Sequence, residues 1–130
     1  VLDTSPLTAA VERFADRLRA MPQSRLRQGA AAQALELARE LSVRAQALEA
    51  GQQGAGAAPA RNMPDAGLFV VGDQVAVAGT DLAEALRATA GGTAESPRDT
   101  ASPRDTAKAP SEMLDEAVRM VEQAEVRATR

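Results

Sequence analysis

LFVVGDQVAVAG, residues 68–79, is the stretch that takes this chain out of the all-helical class. Residues 68–71 and 74–78 are short Val-containing runs on either side of Gly72-Asp73, a turn pair, and that pattern predicts a two-stranded β-hairpin. A lone hairpin is marginal in water, so it must lie on helices or pair with another chain's hairpin. Thr80 or Asp81 then caps a helix, DLAEALRA, in which Asp81 and Glu84 have capping-box spacing and Leu82 and Leu86 form the apolar side.

Upstream, two helices are expected. Ser5-Pro6 supplies an N-cap residue and a proline at the next position, where a missing N–H costs nothing. Leu7, Val11, Phe14, Leu18 and Met21 follow at spacings of 4, 3, 4 and 3, a narrow coiled-coil-like seam. Pro22 ends or kinks this helix, because it forces the preceding residue out of the α region. Ser24 caps a second helix to about residue 50, with Leu26, Ala30, Ala34, Leu37, Leu41, Ala45 and Leu48 on its stripe and Gly51 as its stop. The short break predicts an αα-hairpin.

Two low-complexity segments punctuate the chain. GQQGAGAAPARNM, residues 51–63, reads as a Gly/Ala/Pro linker. Residues 96–107 are an exact tandem repeat, SPRDTASPRDTA, too polar to offset the entropy of ordering. Residues 91–110 are therefore expected to be disordered. Pro110-Ser111 opens a final amphipathic helix with Leu114, Ala117, Val118, Val121 and Ala124 on one side and Glu112, Asp115 and Glu116 in its first turn. The expected architecture is thus mainly α with a minor β part (α+β). It comprises a helical hairpin, β-hairpin and short helix over 1–90, a linker over 91–110, and a separate helix over 111–130.

Composition narrows the function. Among 130 residues there is no His, Cys, Trp or Tyr, and there are only two Phe. Most nucleophiles, metal ligands, proton shuttles near pH 7 and base-stacking rings come from those types. Without cysteine there is no disulfide and no thiolate metal site. No run of about 18 apolar residues suggests a membrane span, and the N-terminus lacks a basic lead followed by an apolar stretch, so a cytoplasmic location is expected. The Ala, Arg, Gly and Pro bias suggests a GC-rich, bacterial gene. The net charge of −3 does not favour nucleic acid.

Local motifs have plain structural explanations. Gly51, Gly54 and Gly56 reverse the dinucleotide-loop spacing and follow a helix rather than a strand. Glu36 and Glu40 lack the His partners of a di-metal helix site, and Glu40 can pair with Arg44. Asp65, Asp73 and Asp81 serve as turn or cap residues. No catalytic, cofactor-binding or metal-binding residue is assigned. Arg13, Arg17, Arg19, Arg25 and Arg27 give residues 13–28 a local charge of +4, a candidate anion-binding face.

The shortage of bulky core residues points to burial completed by association. The expected function is a non-enzymatic assembly or adaptor protein, dimeric by preference. Its expected interface is Leu7, Val11, Phe14, Leu18 and Met21 with Leu37, Leu41 and Leu48, and its C-terminal helix is free for a protein partner. The alternatives are a nucleic-acid-associated regulator using the residue 13–27 arginines, and an enzyme or enzyme subunit working through carboxylates and arginine.

Overall fold

The computed structural model describes residues 2–53, 63–94 and 109–130. Helix α1 spans Ser5–Ala20, a single turn α2 spans Gln23–Arg25, α3 spans Ala31–Gln53, α4 spans Val71–Ala94 and α5 spans Pro110–Thr129. There is no strand among the described residues.

The predicted β-hairpin is therefore wrong, and the class is all-α rather than α+β. Residues 71–94 form one helix that runs straight through Gly72-Asp73 and Thr80-Asp81. Val71, Val75, Ala78, Leu82, Ala85 and Leu86 are buried along it at helical spacing, while Val77 of the supposed alternating run points outward. β-Propensity reports fit to a half-buried surface more than an intrinsic backbone preference, and tertiary packing overrides it here.

The two glycines that read as turn residues have another purpose. A Cβ placed on Gly79 would lie 2.6 Å from both γ carbons of Val11. One placed on Gly72 would lie 3.1 Å from the Ala15 carbonyl oxygen and 3.2 Å from Arg19 Cγ. Seven residues apart, they lie on one face of α4 and let its backbone close on α1. Farther along, Arg87 donates to the Thr4 hydroxyl. These three contacts make α4 antiparallel to α1.

The N-terminal half follows the sequence reading more closely. Met21 is extended, with φ −74° and ψ 143°, and α1 stops before Pro22 as the pre-proline restriction requires. The second helix does not start cleanly at Ser24. A wide π-type turn over Leu26–Ala30 interrupts it, with Gly29 at φ 144°. That turn keeps Leu26 and Ala30 both buried. Nothing crowds a Cβ at Gly29, so Gly29→Ala isolates backbone strain. A loss of about 1–3 kcal/mol is expected, measured by urea denaturation. Helix α3 passes through Gly51 to Gln53, so Gly51 is no stop. Residues 54–62 of the expected linker lie outside the described residues. So does the tandem repeat within 95–108, whereas residues 91–94 belong to α4 rather than to a disordered linker.

Helix α5 is not separate, which is the second correction. It packs on α1, α3 and α4. Arg13 and Arg17 meet Glu125, and Arg25 meets the Arg130 carbonyl, so α5 runs parallel to α1. Arg44 meets Glu116, so α3 runs antiparallel to α5. The result is a four-helix bundle with α1 and α3 on opposite corners, α4 on one side between them and α5 on the other. Helices α3 and α4 are parallel, and residues 63–70 lead into α4 beside α3. There the Met63 carbonyl accepts from Arg39 Nε at 2.8 Å, and the Pro64 carbonyl from the Gln74 amide at 2.8 Å. The largest fully buried side chains are Phe14, Leu7, Leu18, Leu41, Leu82 and Leu86.

Candidate interaction surface

A short turn before α4 aims two side chains in opposite directions. Asp65 Oδ1 accepts the Gly67 N–H at 3.0 Å, an Asx turn, and Gly67 takes φ 105°, which favours glycine. The Val70 N–H then closes on the Gly67 carbonyl at 3.2 Å, and the Gln74 N–H on the Val70 carbonyl at 3.0 Å starts the helical ladder. Leu68 packs against the core, but Phe69 stands 78 % exposed. Val70 and Val77, at 39 % and 55 % exposure, continue its ridge along the outer face of α4. Val43 and Val126 are exposed too, but stand singly on α3 and α5.

Asp73 sits on this ridge between Val70 and Val77. It accepts two bonds from Arg19, at 2.6 and 3.1 Å, and Arg19 also donates to Asp16 at 3.0 Å. The bond to Asp73, with the Asp16 carboxylate helping, raises the Arg19 pKa further above its already high ordinary value. At the start of α1 the Ser5 hydroxyl and then its N–H hold the Asp3 carboxyl below the ordinary carboxylate value.

The expected interface residues are inside the chain. Leu7, Val11, Phe14, Leu18, Leu37 and Leu41 are buried in one intramolecular core, with Met21 and Leu48 partly buried against it. Four of the five arginines of the candidate anion face bind acceptors within the chain: Arg13 and Arg17 hold Glu125, Arg19 holds Asp73 and Asp16, and Arg25 holds the Arg130 carbonyl. Arg27 lines a concavity of about 490 Å³ at the start of α3, between Leu26 and Leu35 on one side and Asp65 and Leu68 on the other. A shallower groove of about 420 Å³ between α3 and α5 carries Glu36, Glu40, Arg44 and Arg127. In it Arg44 bonds Glu40 at 3.0 Å, as the spacing predicts, and also Glu116 at 3.2 Å.

Among the described residues no three metal-ligating side chains are grouped, and no helix is long and apolar enough to cross a membrane. Compared with protein-family models, curated proteins and solved structures, the chain finds no match.

Three features escape the sequence rules. Phe69 falls within an expected strand, although it is out of phase with the 71/75/78/82 period. Glu125 sits four residues beyond Val121, on the apolar stripe of α5, where a charged residue gives no signal of burial. The close approach at Gly79 had no local signal beyond an unexplained glycine seven residues from another.

Proposed function

We propose that this chain is a small non-enzymatic assembly protein, cytoplasmic, whose copies associate in pairs through the Phe69, Val70 and Val77 ridge of α4. The exposure of Phe69 carries the reading. One of only two aromatic side chains is left in water. Burying a Phe is worth about 1.5–3 kcal/mol. Contiguous exposed apolar side chains on a soluble domain mark interaction sites. The seam first expected to make the interface is spent on the chain's own core, so association uses a different surface.

The ridge suits a second copy of itself. Val70 and Val77 are seven residues, about 10 Å, apart along the ridge. Two such ridges crossed about a two-fold axis set Phe69 of one copy beside Val77 of the other. The axis then passes beside Asp73, where each copy's carboxylate is already paired with its own Arg19. Sedimentation equilibrium tests this. The native chain should show a mass above 13.5 kDa that rises with concentration. Phe69→Ser should return it to the single-chain mass while leaving stability within about 0.5 kcal/mol, as for surface substitutions. A native chain that stays at 13.5 kDa at millimolar concentration overturns the reading.

A further inference from the structure

We propose that the concavity between the start of α3 and residues 65–71 binds a short apolar peptide, about three residues long, by its two charged ends. The site is separate from the α4 ridge and does not depend on pairing.

The concavity has an apolar floor. The wide turn at Leu26–Ala30 directs Leu26 into the core, and the Asp65–Gly67 turn lays Leu68 against the core on the facing side. Leu35 and Val71 complete the floor, and the space above it is about 490 Å³. That volume lies within the range of ligand pockets, whose usual lining is apolar with a few polar groups that fix orientation.

The rim is charged, and its charges are sorted by end. Arg27 stands alone beside Leu26 at the end nearer α2. Glu36 lies nine residues further along, about 13 Å on the rise of a helix. Arg39 follows Glu36, with its Nε held by the Met63 carbonyl at 2.8 Å, and Asp65, two residues beyond Met63, brings a second carboxylate there. One end is therefore cationic, while the other sets two carboxylates against one guanidinium. Among the described residues Arg27 and Glu36 hold no hydrogen-bonding or ionic partner.

The four rim charges sum to zero, so a ligand of one sign meets as much repulsion as attraction. A free peptide carries a carboxylate at one end and an ammonium at the other. Three extended residues span about 10 Å, and the Arg27 and Glu36 side chains reach inward to close the remainder. The planar guanidinium of Arg27 takes the carboxylate through paired N–H donors. Glu36 and Asp65 take the ammonium, and the peptide's apolar side chains rest on Leu26, Leu35, Leu68 and Val71.

Trileucine is the probe, titrated into the full chain enriched in ¹⁵N, with its N-acetyl and C-amide forms alongside. The free peptide should shift amides of residues 26–39 and 65–71 in a saturable way. Blocking either end should weaken binding about two- to fivefold, the range of exposed ion pairs. Arg27→Gln should erase the difference between the free and amidated peptides but keep that between the free and acetylated ones, and Glu36→Gln should do the reverse. Both side chains are exposed, so the variants should keep the native spectrum elsewhere. Equal affinity for all three peptides overturns the assignment and leaves a plain apolar groove. Tighter binding of the acetylated form also overturns it, because such a ligand needs Arg27 alone. Shifts confined to the Phe69–Val77 ridge, or none at millimolar peptide, overturn it too, while the ridge pairing is judged separately by sedimentation.

Discussion

Gly79→Ala should lower the unfolding free energy by about 1–3 kcal/mol, one methyl group for several degrees of melting temperature. The added carbon would sit 2.6 Å from Val11 Cγ1 and Cγ2, well inside contact distance, so the Val11 side chain or one of the two helices must shift to admit it. Ala is the better helix former by up to about 1 kcal/mol, so at an unhindered helical site the same change would stabilise. The sign of the effect therefore reports the close approach itself. Val11→Ala removes both γ carbons and should cancel part of the cost, giving a coupling of about 0.5–3 kcal/mol in a double-mutant cycle followed by urea denaturation. At a solvent-facing position of a β-hairpin there would be neither the loss nor the coupling.

A larger loss is expected when Glu125 is left without partners. Its side chain is only 9 % exposed, while the Arg13 and Arg17 side chains that hold it are about half exposed, at 52 % and 54 %. Arg13→Met with Arg17→Met keeps the stems and removes the charges, leaving a carboxylate in the α1–α5 seam with no counterion. Breaking a buried pair from one side costs about 3–5 kcal/mol. The converse change, Glu125→Met, returns two arginines to water they already touch and fills the seam with apolar volume, so its effect should be small or favourable. Chemical denaturation of the two variants side by side measures the asymmetry. Equal losses would mean that the clamp is an ordinary surface pair.

Much of the helical framework was legible in the chain. Pro22, the 4-3-4-3 seam of α1, the Leu37/Leu41/Ala45 stripe and the start of α5 at Pro110 all read correctly, because each rests on a local rule with a single outcome. Residues 68–79 did not. Val75-Ala-Val77 is too short for period 2 and period 3.6 to be told apart, and Gly72-Asp73 satisfies a turn rule on its own. What decides between them is Val11, sixty-eight residues upstream of Gly79, and single-sequence rules do not see it. The expected interface failed for a related reason. A seam of Leu7, Val11, Phe14 and Leu18 declares that it will be buried, not by which chain. Once α4 is a full helix, α1 has its partner within the molecule. Likewise the residue 13–27 arginines declare a charged face, but Asp73 and Glu125, which neutralise much of it, arrive from α4 and α5.

The bundle requires α4 to be one helix laid on α1 through Gly79. Heteronuclear NMR of the native chain tests this directly. It should show unbroken helical ¹³Cα shifts from Val71 to about Ala90, with contacts between the Gly79 α protons and the Val11 methyl groups. Extended shifts at residues 68–71 and 74–78, with cross-strand contacts between them, would contradict it.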